Sequence, residues 1–296
     1  MNNPSKPSIK PPFKWTGGKN RMWEKYLPHF FPKDIDIFVD MFCGATSISL
    51  WIHNNYPDAK IILNDFNPEL MSLYGTFQKD YDRLEKEYVS HVEKFLTLSK
   101  QDRKAYYYSL REEYCHDHED KPDYINNSKL YFMLRTNFNG MWKAYKKCNL
   151  RYSTPPGTLL QKPKFFDLEG TRKFKEFVDQ CTLRSEDFGA LADYDGSGTY
   201  YYADPPYRDS IVDYQGGFND DEQRRLVSFL KDRSQNGCYI AESNKEIGDG
   251  FWENEFDDDY NFTYMNAKYT AGRGKTMLEV KEVLVTNFDS DVEISP

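Results

Sequence analysis

Apolar positions along this chain follow two rhythms. Short β-branched runs, Ile35-Asp36-Ile37-Phe38-Val39-Asp40 and Lys60-Ile61-Ile62-Leu63-Asn64, flank a stretch with helical spacing from about Thr46 to Asn54. Run, helix and run make a βαβ unit whose strands are expected to be parallel and buried. Further runs follow at Thr199–Ala203, Cys238–Ala241, Phe262–Met265 and Val280–Phe288. A helix is expected from about Asp220 to Arg233, with Leu226, Val227, Phe229 and Leu230 on one side. These segments complete a doubly wound α/β sheet.

Between about Leu70 and Cys181 the rhythm changes to long, polar, aromatic-laced helical stretches, Glu85–Leu98 and Arg103–Tyr114, and then a basic segment with Pro155-Pro156-Gly157. This region reads as an insert in the sheet-forming chain. Residues 1–12 hold four prolines and few apolar groups, which predicts an extended arm. Neither an internal repeat nor a low-complexity tract interrupts the pattern. Most of the many Tyr and Phe rings are expected in the core, with a few in the insert able to stack on or wedge between bases.

The 296 residues, 39% of them hydrophobic, suffice for a large α/β unit and an insert. No run of about 18 uncharged apolar residues offers a membrane span, and the first residues lack the apolar middle of a signal peptide, so a cytosolic location is expected. The five cysteines are scattered, without a Cys-x-x-Cys pair, which points to reduced thiols rather than a disulfide framework or zinc site. A net charge of −8 opposes a polyanionic partner on average. Lys143 to Lys175, however, holds nine Lys/Arg against two acids, while Asp249 to Asp259 holds six acids and no cation. A basic face on an acidic body fits a protein that grips phosphates on one side; a plain solvated face is the other reading.

The chemistry gathers where strands end. Asp204-Pro205-Pro206-Tyr207 follows the run Thr199–Ala203 and so belongs at the carboxyl edge of the sheet, where open α/β folds bind ligands. Its carboxylate can accept hydrogens from a planar amine while Tyr207 stacks on the ring that bears it. A rigid strand-ending turn is the alternative on these residues alone. After the first strand, Asp40-Met41-Phe42-Cys43-Gly44-Ala45-Thr46 turns into a helix, and the glycine lets a ligand approach the helix start. After the second, Asp65 and Phe66 stand about twenty-five residues beyond Asp40, the place where such folds bind a ribose. Phe13-Lys14-Trp15-Thr16-Gly17-Gly18-Lys19 can close over a nucleoside, although it lacks the first glycine and the hydroxyl residue of a phosphate-binding loop. Asn139-Gly140 is a tight-turn pair of the kind found in hairpins.

In this order the motifs resemble the Dam-type DNA adenine N6-methyltransferases, the D12 class, alpha group, over nearly the whole chain. Phe13–Lys19 is similar to the family's first cofactor loop, Asp40–Ala45 to its Asp/Glu-x-Phe-x-Gly motif and Asn64-Asp65 to its ribose acid. Arg135–Gly140 is similar to the start of its recognition hairpin, Ser243-Asn244 to its Ser-Asn pair and Lys281–Asn287 to its closing strand. The resemblance implies a Rossmann-like, doubly wound, mostly parallel seven-stranded methyltransferase sheet with a helical and hairpin target-recognition insert. It divides the chain into an arm (1–12), a catalytic domain (13–70 and 182–288), a recognition domain (71–181) and a tail (289–296).

It further implies S-adenosylmethionine as methyl donor, held by Trp15, Gly17, Gly18, Lys19, Asp40, Phe42, Cys43, Gly44, Asp65, Phe66 and Asp204. The acceptor is then N6 of an adenine flipped from double-stranded DNA, held by Asp204, Pro205, Pro206 and Tyr207. Arg135, Asn137, Asn139, Met141, Lys143, Lys146, Lys147, Arg151 and Arg273 become the expected DNA contacts, with no metal and a monomer or weak dimer on the duplex. Cytoplasm, or the nucleoid within it, is the implied location. GATC-specific members carry arginine where this chain has Lys143, so the site is GATC or a related short sequence. Transfer to another planar amine, in cytosine, RNA or a protein glutamine, and a catalytically silent DNA binder of the same fold are the competing readings.

Overall fold

Parallel strands covered on both faces need uninterrupted apolar runs, and the central strands of this protein have them. A computed structural model describes residues 9–15, 31–32, 34–116, 120–144, 151–157, 167–208, 218–270 and 277–289. Among these residues seven strands form one sheet: β1 (Ile37–Asp40), β2 (Lys60–Asn64), β3 (Thr182–Arg184), β4 (Thr199–Ala203), β5 (Tyr239–Lys245), β6 (Asn261–Thr270) and β7 (Met277–Thr286). Their order is β3-β2-β1-β4-β5-β7-β6. β1 to β5 pair in parallel, and β7 runs antiparallel to both β5 and β6. β1 has β2 on one side and β4 on the other, with Asp40 opposite Tyr202. The strand order reverses there, which opens a crevice at the carboxyl ends of β1 and β4.

Helices cover the two faces. The described ones are α1 (Ser47–Asn55), α2 (Pro68–Lys79), α3 (Tyr81–Thr97), α4 (Lys100–His116), α5 (Asp123–Thr136), α6 (Leu168–Asp179), α7 (Asp220–Gln235) and α8 (Phe251–Phe256). Val39, Ile62, Tyr201 and Ile240 pack under α7 and α8, against Leu226, Leu230, Trp252 and Phe256. On the other face Phe38, Leu63, Tyr200 and Tyr202 share one continuous core with α1, α2 and the insert helices, through Leu50, Tyr74, Phe77, Tyr88, Phe95, Tyr107 and Phe132. The insert's aromatics are therefore mainly core.

Five elements escaped the sequence pattern, α2, α5, α6, β3 and the short α8 within the acidic run. α2 starts two residues before the expected boundary of the insert, with Pro68 at its first position and the Asn67 side chain accepting from the backbone N–H of Glu69 and Leu70. α5 is buried nearly all round, polar residues included, so no polar face marks it. Asn127 Nδ2 donates to Ser72 Oγ at 3.0 Å and Thr76 Oγ1 at 2.7 Å, and Lys129 pairs with Glu113 at 2.8 Å. α6 packs on α2 at the far end of the insert. β3 is three residues long, too short for any periodicity. No helix of the described residues is long and apolar enough to cross a membrane.

Candidate active site

Three carboxylates gather at the crevice. Asp40 ends β1, is 2% exposed, and accepts from the Ser49 hydroxyl in the first turn of α1. Burial lifts its pKa to about 7 against that hydrogen bond, and the nearby charges of Asp204 and Asp65 add to the rise. Asp65 follows β2 and accepts from the backbone N–H of Gly44 at 3.0 Å and of Asn67 at 2.9 Å. Burial nonetheless raises it to about 6. Phe66, next in the chain, is 59% exposed, an aromatic ring on the lip of the crevice.

The loop between β1 and α1 is wound tightly. Gly44 and Thr46 both take positive φ, +46° and +59°, and the buried Thr46 hydroxyl has no hydrogen-bond partner. Tyr74 donates to the Gly44 carbonyl at 2.6 Å, so Gly44 is fixed from both sides. A Cβ on Gly44 would lie 2.8 Å from Nε1 of Trp15, whose indole covers it. Cys43 is buried with its sulfur 3.9 Å from that of Met71, and burial pushes its thiol pKa well up. Phe42 turns to the opposite face, toward Phe188 and Phe218.

Trp15 belongs to a strap that also carries Phe13, which is buried against Tyr74 and Tyr131. Arg135 fixes the strap by donating to the Pro12 carbonyl. Gly17, Gly18 and Lys19, assigned to the same loop from sequence, lie outside the described residues. Beyond the crevice Trp15 meets Trp142, with ring centroids 6.0 Å apart.

Asp204–Tyr207 leaves the end of β4 beside Asp40. Pro205 is buried, while Asp204, Pro206 and Tyr207 are half-buried. The chain pins this turn at several atoms. Gln223 of α7 donates to the Pro206 carbonyl at 3.0 Å, Tyr207 donates from its phenol to Glu282 of β7 at 3.1 Å, and Asn244 of β5 accepts from the N–H of Arg208 at 3.1 Å. Asn244 also donates to Glu242 at 3.0 Å, within a fully buried polar group.

The Asn139-Gly140 pair makes a turn with positive φ at both residues, +56° and +70°, closed by Met141 N–H donating to the Phe138 carbonyl at 3.2 Å. Asn139 and Lys143 are exposed and Met141 half-buried. Asn137 does not face outward: it is buried, donating to the Met141 carbonyl at 3.1 Å and the Tyr152 phenol at 2.9 Å, and accepting from Gly140. Arg151 likewise turns inward to a two-pronged pair with Glu69, over the ring of Tyr114. Arg172, Lys173 and Lys175 in the basic run are paired with Glu85, Glu169 and Asp179. The phosphate-gripping segment read from charge alone thus reduces, among described residues, to Lys143. Lys146, Lys147 and Arg273 lie outside them.

Sequence reading missed the loop after β3. Ser185 donates to the Asp65 carbonyl at 3.3 Å, and Asn64 braces β1 and this loop together, donating to the carbonyls of Met41 at 3.0 Å and Glu186 at 3.1 Å. Ser185-Glu186-Asp187-Phe188 offered a signal, an acid pair and a ring after a β-like run, but the run is only three residues long. Gln223 and Glu282 were missed as well, since polar residues inside a helix and a strand read as surface.

Comparison with known proteins bears on this arrangement. The family model described as D12 class N6 adenine-specific DNA methyltransferase matches residues 15–271. The type II methyltransferase M.MjaIII of Methanocaldococcus jannaschii is 28% identical over 253 residues, covering 82% of this chain and 86% of its own. M1.LlaDCHI of Lactococcus lactis subsp. cremoris is 25% identical, with 96% and 97% covered. M.CviBI of Paramecium bursaria Chlorella virus NC1A, also 25% identical, has 95% and 100% covered.

Proposed function

Because the chain belongs to the D12 class N6 adenine-specific DNA methyltransferases, we propose that it moves a methyl group from S-adenosylmethionine to N6 of an adenine rotated out of duplex DNA, within GATC or a related short site. The observation that carries this reading is the meeting of Asp204 and Asp40 at the point where strand order reverses, with Asp65 beside them. The donor supplies a methyl group on a positively charged sulfur. The residues present suit it. Exposed Phe66 offers a face for a purine, Asp65 can take ribose hydroxyls, and the wound loop at Gly44, covered by Trp15, lets a ligand approach the backbone. Carboxylates held partly protonated by burial gain when a cation arrives.

On the acceptor side Asp204 and the Pro205 carbonyl would accept the two amine hydrogens, freeing the nitrogen lone pair for the methyl group. The S–C bonding pair would stay with the donor sulfur as a neutral thioether, and one amine proton would pass through Asp204 to water. Tyr207 stacks on the base and holds it in a near-attack arrangement. Neither a covalent nucleophile nor a strong base is required; alignment and charge supply the rate. Asn139, Met141 and Lys143 of the exposed turn are the contacts proposed for the DNA, joined by Lys14, which is exposed and whose backbone lies against Gly140.

Tritiated methyl incorporation into unmethylated duplex DNA, RNA and bulk protein, measured side by side, tests the reading. Label confined to DNA and recovered as N6-methyladenine is the expected result. Label in cytosine, RNA or protein refutes it.

A further inference from the structure

Tyr207 is the first residue after Asp204 whose backbone is not locked, because Pro205 and Pro206 fix their own φ and carry no N–H. Its angle is therefore set by what holds residue 208. Arg208 is 7% exposed and donates from Nε and Nη2 to the two oxygens of Asp220 at 2.9 Å each, and from Nη1 to Asp249 at 3.0 Å. Its guanidinium lies 3.8 Å over the ring of Phe251. Asp220 opens α7 and Asp249 stands two residues before α8. The turn is thus tied by Arg208 to helices on one face of the sheet, while the Tyr207 phenol reaches β7 through Glu282. Burying a guanidinium between two acids contributes little net stability, because desolvation offsets the attraction. A fork that fixes direction is what arginine offers and lysine does not.

Resting on the adenine methyltransferase reading, we propose that Arg208 is a positioning residue for Tyr207: its fork to Asp220 and Asp249 sets the angle at which the ring meets the extruded base, and it acts on base capture and methyl transfer rather than on cofactor binding. Arg208→Lys keeps the charge and loses the fork. With unmethylated plasmid DNA as substrate, its single-turnover rate is expected to fall about ten- to hundredfold. Its S-adenosylmethionine affinity should stay within about twofold and its melting remain cooperative, both unlike the effect of a merely structural residue. With 2-aminopurine in place of the target adenine, in the site identified by sequencing the wild-type product, the fluorescence of the captured base should shift toward that of free duplex. Asp220→Asn added to Arg208→Lys should cost little more, since both remove one interaction. Asp249→Asn, which spares the Asp220 fork, should lower the rate by a smaller factor and serves if the lysine variant does not fold. Wild-type rate and fluorescence in Arg208→Lys, or cofactor affinity falling in step with rate, overturns the proposal. A wild-type chain that methylates no DNA adenine instead overturns the underlying reading, and the Arg208 role with it.

Discussion

The phenol of Tyr207 donates to the carboxylate of Glu282 at 3.1 Å, from a half-buried turn into a fully buried strand position. The bond anchors the ring at its far end. Tyr207→Phe keeps the face and loses the tether, so methyl transfer should slow about tenfold with cofactor affinity unchanged. Tyr207→Ala should cost a further 1–3 kcal/mol or so of base stacking, read as a weaker 2-aminopurine response. Equal rates for phenylalanine and tyrosine would remove Glu282 from the account.

Gly140 couples the exposed turn to the cofactor crevice. A Cβ there would lie 2.6 Å from the backbone carbon and oxygen of Lys14 and 2.8 Å from the nitrogen of Trp15, at a φ of +70°. Gly140→Ala is expected to destabilise the fold by about 1–2 kcal/mol. By displacing Trp15 from Gly44 it should also weaken S-adenosylmethionine binding, measured by calorimetry. Unchanged cofactor affinity would separate strap from turn.

Asp40 gives stability a pH dependence. Its folded pKa, about 7, exceeds the ordinary 3.8, so the folded state holds the proton more tightly. The contribution is full below pH 3.8 and is lost as pH rises through about 7. Between about pH 5 and 8, the cofactor-free wild type should lose on the order of 2–3 kcal/mol relative to Asp40→Asn, which has no such proton. Denaturant unfolding of both proteins across that range is the check, and parallel curves would contradict it.

DNA affinity should separate the outward cations from the inward one. Removing Lys14 or Lys143 should make the slope of log affinity against log salt shallower by about 0.9 each, if each meets one phosphate. Arg151→Ala should leave that slope alone and instead lower stability by about 1–3 kcal/mol, because it leaves the Glu69 carboxylate without its cation, held among described residues only by the Tyr114 phenol. A slope that responds to Arg151 and not to Lys143 would place the DNA elsewhere.

What could be read in the sequence was what local chemistry determines. A β-rich run closed by an acid and two prolines locates Asp204 at a strand end, and Asp65 after β2 needs only the βαβ rhythm. Arg151 misled because its partner, Glu69, lies 82 residues away, and no local charge count includes it. α5 was hidden for the opposite reason: buried on all sides, it has no polar face to alternate with. Lys129 and Asn127 look solvent-facing until Glu113, Ser72 and Thr76 are placed around them. Arg208 and Glu282 belong with these, since their meaning lies in contacts to α7, β7 and the turn before α8.

The central claim is that the Asp204 carboxylate aligns an adenine amine for methyl transfer. Nucleoside mass spectrometry of plasmid DNA, incubated with S-adenosylmethionine and either wild type or Asp204→Ala, tests it most directly. The account predicts N6-methyladenine from the wild type and none from Asp204→Ala, whose duplex binding persists. N6-methyladenine produced by Asp204→Ala, or a wild type that marks only cytosine, would contradict it.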